Sequence, residues 1–341
     1  MAVAPASRYR VADCDTYRAS TSADVVALIP AHNEQTAISA AIESLADQTQ
    51  PPDRIIVVAD NCTDDTAAVA AGYGVEVFTT SHNTDRKAGA LNQALAWLLP
   101  QLDGQDRVLI TDADSELAPS WIEAGTAGLA PSDVGAIGGV FHGASGAGLV
   151  GQLQRNEYER YSRDVGRRKA RAWVLTGTAS MFRAATLRHV IKARAAGMLG
   201  RRVDPTVYDR GALTEDMEIT LALKTLGYRC LSPRACAVTT EVMPTWRDLW
   251  RQRTRWQRGA VDNLTSYALT RTTVPYWAQQ AGMCLDRADP VCRRPDHRRV
   301  GCATVLARHR RDLPGGTCGH SAHRGARGHR IGRRSVVRDR V

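Results

Sequence analysis

Short apolar stretches alternate with amphipathic ones over the first third of the chain, and this alternation constrains the fold most. The apolar stretches have the length of buried strands and are followed by polar turns: 24–30, 54–59, 75–79 and 108–111. Apolar residues recur at helical spacing in the segments between them, as in 35–48 and 86–99. Strands that alternate with helices form a mostly parallel sheet with helices on both faces. We therefore predict a Rossmann-like α/β fold that binds its ligand at the carboxyl ends of the strands.

An acidic stretch, Thr111-Asp112-Ala113-Asp114-Ser115, lies at the carboxyl end of the last of these predicted strands. Two carboxylates at the carboxyl end of a strand project into the crevice where ligands bind. Mg2+ and Mn2+ prefer such oxygen ligands, and a substrate diphosphate usually supplies several more. Taken alone, the stretch fits an ordinary loop with two solvated aspartates equally well. No G-x-G-x-x-G or G-x-x-x-x-G-K-[ST] motif follows the first strand, so neither a dinucleotide fold nor a P-loop enzyme is indicated.

Two later segments combine charged side chains with predicted helices. Glu215 and Asp216 follow Thr214 at the start of one helix, where an N-cap with two helix-dipole partners is the alternative explanation. Residues 246–258 carry tryptophans at near-helical intervals with arginines between them. Such a helix is typical of a membrane interface, and packing inside the protein is the alternative. Further predicted elements are a capping Thr63, helices at 119–129 and 152–169, strands at 134–141 and 173–180, and a glycine-rich loop over 135–151.

The formal net charge of +10 lies entirely in the segment from Cys284 to Val341, and the rest of the chain is balanced. The basic composition is therefore no argument that the body of the protein binds nucleic acid. The Arg-rich segment contains no Phe, Trp or Tyr, which predicts disorder. We predict a flexible segment over 1–23, one domain over 24–283 and a disordered tail over 284–341. The first segment lacks the apolar core of a secretory signal, and no run of about 18 apolar residues occurs.

Six motifs occur in the order found in the processive family 2 glycosyltransferases, the group of cellulose, hyaluronan, chitin-oligosaccharide and poly-N-acetylglucosamine synthases. They are Pro30-Ala31-His32-Asn33-Glu34, Asp60, Lys87-Ala88-Gly89-Ala90-Leu91-Asn92, Asp112-Ala113-Asp114, Thr214-Glu215-Asp216 and Gln252-Arg253-Thr254-Arg255-Trp256. The last is the complete Q-x-x-R-W pattern of that family. The chain resembles these enzymes from about residue 24 to about residue 280.

The resemblance implies a GT-A fold, with interface helices near its end, and inverting transfer of a sugar from a UDP-sugar with Mg2+ or Mn2+ as cofactor. Asp60 would hold the uracil, and the uridine and diphosphate would contact Pro30, Ala31, Asn33, Glu34, Lys87 and Gly89. Asp112 and Asp114 would lie against the diphosphate, and Asp114 would bind the metal most directly. Asp216, beside Glu215, would be the general base that deprotonates the acceptor hydroxyl. Gln252, Arg255 and Trp256 would close the acceptor end of the site.

Two features depart from the family pattern. Asn61-Cys62 follows Asp60 where many relatives carry glycine and serine. Relatives also continue from the Q-x-x-R-W helix into transmembrane helices, whereas the Arg-rich segment follows here. We read this abrupt change in composition as a sign of translation in a wrong reading frame, which predicts that another frame of the DNA past codon 283 encodes apolar spans.

The resemblance predicts an enzyme at the cytoplasmic face of the cell membrane that transfers a sugar to a glycan or a lipid-linked acceptor. The loop Thr176-Gly177-Thr178-Ala179-Ser180 is similar to that of the amino-sugar synthases, which favours N-acetylglucosamine as the sugar. Two alternatives stay open: an inactive nucleotide-binding relic, and an interaction or nucleic-acid-binding protein that acts through its Arg-rich tail. The absence of aromatic residues among the tail arginines argues against the second of these.

Overall fold

The computed structural model describes residues 23–200 and 204–286. The chain divides into two units, Met1–Cys284 and Leu285–Val341, and the description that follows concerns the first. The predicted flexible segment therefore lies outside the described residues, except for residue 23. The predicted disordered tail also lies outside them, except for residues 284–286, which end a helix.

Strands and helices alternate through most of the described residues. The strands are β1 (Val25–Ala31), β2 (Arg54–Ala59), β3 (Glu76–Thr79), β4 (Arg107–Thr111), β5 (Ser115–Leu117), β6 (Val134–Gly138), β7 (Val140–Gly143), β8 (Ala179–Arg183), β9 (Arg229–Leu231) and β10 (Ala237–Thr240). The helices are α1 (Ile38–Ala46), α2 (Thr66–Gly72), α3 (Arg86–Leu98), α4 (Trp121–Gly128), α5 (Gly148–Arg167), α6 (Ala184–Ala195), α7 (Glu215–Thr225), α8 (Trp246–Ser266) and α9 (Val274–Asp286).

Seven strands form the main sheet in the order β3-β2-β1-β4-β8-β6-β9. The first four are parallel, and β8 runs antiparallel to both of its neighbours, β4 and β6. A small second sheet has the order β5-β10-β7. The mostly parallel α/β architecture predicted from the sequence is confirmed. Its parallel half brings the carboxyl ends of β1, β2 and β4 to one edge.

Both faces of the main sheet are covered because buried apolar side chains of its central strands point to each face in turn. Leu28 of β1 packs with Ile56 and Leu91 in one core cluster, whereas the adjacent Ile29 packs with Ile42 in a second cluster on the opposite face. Burial of each such side chain is worth about 1.5–3 kcal/mol. None of the helices within the described residues combines the length and the apolar character needed to cross a bilayer.

The region predicted as a strand over 134–141 is two strands in different sheets. They separate at Gly139, where an added Cβ would lie 2.6 Å from Val238 Cγ2 of β10. The predicted glycine-rich loop over 135–151 consequently consists largely of β6, β7 and the start of α5. The close approach of β10 explains the glycine at the point where the chain passes from one sheet to the other.

Two smaller predictions also differ from the structure. The predicted strand over 173–180 is irregular up to Thr178, and the strand itself runs over Ala179–Arg183, where β4 supplies the hydrogen-bonding partner. Thr63 does not cap α2, which begins three residues later at Thr66. The backbone N–H of Thr63 instead donates to Oδ1 of Asn33, 2.8 Å away, so the residue joins two turns at the edge of the sheet.

Candidate active site

Two cavities lie at the carboxyl ends of the parallel strands and share one wall. The smaller, of about 200 Å³, is lined by Pro30, Ala31, His32, Glu34, Asp60, Lys87, Ala90, Asp112, Ala113 and Asp114. The larger, of about 580 Å³, has among its lining residues Phe141, Tyr161, Thr178, Glu215, Asp216, Glu241, Gln252, Arg255 and Trp256. Lys87, Asp112 and Asp114 line both. Residues from distant parts of the sequence thus converge on two adjoining cavities.

Asp60 follows β2 and is held by hydrogen bonds to one of its two carboxylate oxygens. Oδ1 accepts from Thr80 Oγ1 at 2.7 Å and from Asn83 Nδ2 at 2.8 Å. Asn83 reaches this position because Gly89 has no side chain: an added Cβ would lie 2.0 Å from Asn83 Oδ1. Gly89 therefore supports the smaller cavity from behind and does not line it.

The turn after β1 is fixed by its own polar side chains. His32 Nδ1 lies 2.6 Å from the backbone oxygen of Asp60, and Asn33 adopts a left-handed conformation with φ of 58°. The Asn33 side chain accepts from the backbone of Thr63, so it links two loops and does not line either cavity. Pro30, Ala31 and Glu34 do line the smaller cavity, as does His32, whose ring sequence reasoning had not singled out.

Lys87 connects the acidic residues that follow β4 with those that begin α7. Its Nζ lies 2.5 Å from Asp112 Oδ1 and 3.4 Å from Glu215 Oε1, and it donates to the backbone oxygen of Gly177 at 3.0 Å. Burial alone would lower the pKa of Lys87, but the two carboxylates raise it above the ordinary lysine value. The ammonium therefore stays charged and neutralises part of the acidic cluster.

Asp114 also lines the shared wall, and no described Lys or Arg forms an ion pair with it. Burial raises its pKa, and the carboxylate of Glu241 adds to the effect. The pKa of Asp112 is raised by burial and by Asp114, against the opposing influence of Lys87. Burial and the nearby carboxylates likewise raise the pKa of Glu34. Carboxylates that repel one another at a cavity wall form a site that favours a bound cation.

The aspartates of this wall could hold a divalent metal ion only together with ligands from a second molecule. No group of three or more His, Cys, Asp or Glu side chains is arranged to hold a metal ion within the part of the chain that the structure describes. Asp112 and Asp114 are hard oxygen donors, and one oxygen of Asp112 is already paired with Lys87. They therefore suit Mg2+ or Mn2+ when a second molecule, such as a diphosphate, completes the coordination sphere.

Asp216 stands in the first turn of α7 at the wall of the larger cavity. Its Oδ1 accepts from the backbone N–H of Met217 at 2.7 Å. Burial, followed by the negative charge of Glu215, raises the pKa of Asp216 to about 6 against the opposing influence of Lys87. Burial and the same aspartate raise the pKa of Tyr161 to about 12. Asp216 is thus ionised near neutral pH yet more basic than an ordinary aspartate, as a general base requires.

The first half of α8 supplies further lining residues of the larger cavity. Gln252, Arg255 and Trp256 all line the larger cavity, as predicted. The Trp256 indole is 36% exposed, and the guanidinium of Arg253 lies 4.4 Å from its ring centroid. Arg253 forms an ion pair with Glu157 of α5, with 2.6 Å between Nη2 and Oε2. Oε1 of Gln252 and Oγ1 of Thr178 are buried and have no hydrogen-bond partner among the described residues, so both atoms remain free to bond a ligand in this cavity.

Sequence reasoning missed several residues of the larger cavity. Glu241 directly follows β10, a strand that had not been predicted, and no motif surrounds it. Phe141 stacks on Tyr161 with ring centroids 4.9 Å apart. Tyr161 lies on α5, a helix that the sequence predicts. Phe141 lies on β7, so the contact between the two rings became evident only from the fold.

The strand order and the flanking helices define an α/β fold of the GT-A type. Residues 23–259 match the family model described as "Glycosyltransferase like family 2", and the chain belongs to this family.

The chain is 30% identical over 251 residues to "Probable glycosyltransferase YdaM" of Bacillus subtilis, which covers 69% of this chain and 54% of that protein. It is 27% identical over 243 residues to "Uncharacterized glycosyltransferase YaiP" of Escherichia coli, covering 67% of this chain and 55% of that one. The chain therefore spans about half the length of the curated relatives it matches.

Among solved structures, the chain is similar in fold to a mannosyltransferase, PcManGT from Pyrobaculum calidifontis, in complex with GDP-Man and Mn2+. The TM-score is 0.55 at 19% identity, and the match covers 85% of this chain and 80% of the other.

Proposed function

We propose that this chain is an inverting, metal-dependent glycosyltransferase that moves a sugar from a UDP-sugar to a hydroxyl of a glycan or lipid-linked acceptor, as the polysaccharide synthases do. One observation carries the proposal: Lys87, Asp112 and Asp114 line both cavities. A donor in the smaller cavity and an acceptor in the larger would meet at that wall, with Asp216 on the acceptor side.

The smaller cavity suits the nucleotide. Thr80 and Asn83 occupy Oδ1 of Asp60, so we assign Oδ2 to the uracil N3–H. The turn from Pro30 to Glu34 would enclose the uridine, and its backbone is fixed beforehand by the His32 and Asn33 contacts. A rigid pocket loses little conformational entropy on binding, which favours affinity.

Asp112 and Asp114 would hold Mg2+ or Mn2+ together with the diphosphate. The bound cation would offset the negative charge that develops on the departing UDP. Lys87 lies against Asp112 and fixes its orientation. Arg255 lines the larger cavity and adds a second positive charge to the site. Both side chains would stabilise the charge that UDP gains as the glycosidic bond breaks.

The general base would be Asp216. Glu215 is ion-paired with Lys87, whereas Asp216 borders the larger cavity and has its pKa raised to about 6. It would take the proton from the acceptor hydroxyl as that oxygen attacks the anomeric carbon. Attack from the side opposite to the leaving diphosphate inverts the anomeric configuration. Glu215 would act through its charge, which keeps Asp216 basic.

The larger cavity suits a sugar acceptor because both aromatic side chains and polar groups line it. Trp256 offers a flat apolar face against which a sugar ring can pack. Oε1 of Gln252 and Oγ1 of Thr178 are polar atoms without partners among the described residues. Hydroxyl groups of an acceptor would supply such partners.

A membrane surface is the partner we assign to the outer face of α5 and α8. Trp246 and Trp250 are 58% and 75% exposed, and Leu149 of α5 is 70% exposed. The two helices are joined by the Arg253–Glu157 ion pair. Exposed arginines of α8 would contact anionic headgroups at the inner face of the cell membrane.

The test is UDP release by the purified full chain from UDP-glucose, UDP-N-acetylglucosamine and UDP-glucuronate, each with an oligosaccharide acceptor present and with either Mn2+ or EDTA. We expect Mn2+-dependent release of UDP from one of these donors, and UDP-N-acetylglucosamine is the favoured one. UDP binding without release from any donor would instead identify an inactive nucleotide-binding relic.

A further inference from the structure

The second half of α8 packs against the start of α7, the helix that carries Glu215 and Asp216. Two buried polar contacts join the helices. Asn263 Nδ2 donates to the backbone oxygen of Thr214 at 2.9 Å and to its Oγ1 at 3.0 Å. Tyr267 Oη donates to Glu218 Oε1 at 2.7 Å. Each helix contributes residues four positions apart, so both contacts lie along a single seam.

The seam is buried, and Asn263, Tyr267 and Glu218 are hydrogen-bonded within it. Asn263 is 3% exposed and Glu218 is 1% exposed. The other carboxylate oxygen of Glu218 accepts from Arg194 of α6 at 2.6 Å. Removal of one partner would leave a buried polar or charged group unsatisfied, which is costly. The contacts therefore fix α7 against α8.

Thr214 occupies the N-cap position of α7 but its side chain makes no capping hydrogen bond. The hydroxyl is directed to Asn263 of the neighbouring helix instead. Gly259 permits this approach, since an added Cβ there would lie 2.5 Å from Thr214 Oγ1. The side chain of the residue two positions before Asp216 is thus held by α8, while its backbone oxygen also accepts from the N–H of Glu218 in α7.

One stripe of α8 serves both the cavity and the seam. Gln252, Trp256, Gly259, Asn263 and Tyr267 follow one another at intervals of three or four residues, so they lie along one side of the helix. The first two line the larger cavity, and the last three contact α7 or its cap. A shift of α8 against α7 would therefore change the position of Trp256 relative to Asp216.

We propose that Asn263 and Tyr267 are positioning residues that set the Asp216 carboxylate against the acceptor wall formed by Gln252 and Trp256. This inference rests on the proposed function. Neither residue lines a cavity, and neither contacts the residues assigned to the nucleotide. Their loss should therefore slow the reaction without weakening nucleotide binding, because a small misplacement of reacting groups lowers the rate steeply.

The test compares Asn263→Leu and Tyr267→Phe with the wild-type full chain. The rate of UDP release from the best UDP-sugar and the Kd of UDP with Mn2+ are measured together. We expect release to fall about tenfold or more in Asn263→Leu, and in the same direction in Tyr267→Phe, while the Kd for UDP stays within about twofold. Thr265→Val, on the exposed side of the same helix, is the matched control and retains wild-type values.

The conservative variant Thr214→Ser keeps the hydroxyl that Asn263 contacts and should retain most of the activity. The acid limb of the pH–rate profile should move in Asn263→Leu, because the surroundings of Asp216 change. If the wild-type chain is active, two results would overturn the inference. One is a rate of UDP release in the variants that equals the wild-type rate. The other is a Kd for UDP that rises by the same factor as the rate falls. If Asn263→Leu does not fold, Tyr267→Phe decides by the same criteria. An inactive wild-type chain would overturn the proposed function together with the inference.

Discussion

Nζ of Lys87 lies 2.5 Å from Oδ1 of Asp112, so one member of the aspartate pair after β4 is already neutralised by the protein. Asp114 has no such ion pair with any described residue, and its pKa is raised by burial and by Glu241. The two aspartates are therefore not equivalent. Asp112 is tied to the start of α7 through Lys87 and Glu215, whereas Asp114 carries the uncompensated charge that a cation would balance.

The pH dependence of UDP release should have an acid limb near pH 6. Burial and Glu215 raise the pKa of Asp216 to about 6, and only the ionised carboxylate can accept a proton. Activity should thus be lost as pH falls through 6 and be level from pH 7 to 8. UDP–Mn2+ binding measured over the same range separates this effect from protonation of Asp112 and Asp114. A rate that stays constant down to pH 5 would exclude Asp216 as the base.

Asp114→Asn should stabilise the fold while it removes function. The pKa of Asp114 is raised from an ordinary value of 3.8, so the folded state binds protons more tightly than the unfolded state. The penalty for ionising Asp114 is therefore fully present at pH 7 and disappears as pH falls below 3.8. We expect the free energy of unfolding to rise by about 1 kcal/mol at pH 7, and the gain to vanish in acid.

Denaturant unfolding at pH 7 and at a pH below 3.8 measures this gain in the free energy of unfolding. Glu116→Gln, an exposed carboxylate on the neighbouring β5, is the control and should change stability little. A destabilised Asp114→Asn protein at pH 7 would show that the carboxylate is needed for the fold and that no charge repulsion is relieved.

Gly89→Ala should weaken nucleotide binding from a distance. The new Cβ would lie 2.0 Å from Asn83 Oδ1 and would displace the side chain that holds Asp60. We expect the Kd for UDP to rise about tenfold, the equivalent of one lost hydrogen bond to a charged group. Gly72→Ala is the matched control, because an added Cβ there meets no atom within 4 Å. Equal UDP affinity in the two variants would exclude a role for the Gly89–Asn83–Asp60 arrangement.

The double variant Trp246→Ser and Trp250→Ser should lose membrane binding with its UDP affinity intact. Both indoles are exposed, and neither lines a cavity. Co-sedimentation with phosphatidylglycerol vesicles should fall about fivefold or more, since interfacial binding scales with the apolar area that is buried. Met198→Ser, which removes an apolar side chain that is 62% exposed, is the control. Vesicle binding that does not differ between wild type and the double variant would remove the proposed interface.

The parts of the fold that followed local rules could be predicted from the sequence. The second strand was predicted with its observed limits, Arg54–Ala59, because an apolar run ends at a polar turn. The antiparallel strand β8 was misplaced because its identity depends on pairing with β4, about 70 residues earlier in the chain. Glu241 was missed for a similar reason. It reaches the site only because β10 pairs with β5 and β7, and its own sequence carries no motif.

The most direct test of the account is a comparison of UDP–Mn2+ binding and UDP release in Asp216→Asn and Asp114→Ala. Asp216→Asn should bind UDP with Mn2+ as the wild type does and lose at least about 100-fold in release, because binding and proton removal lie on opposite sides of the shared wall. Asp114→Ala should lose both the Mn2+ dependence of binding and the release. Release that persists in both variants would contradict a single site in which a metal-held donor meets the Asp216 base.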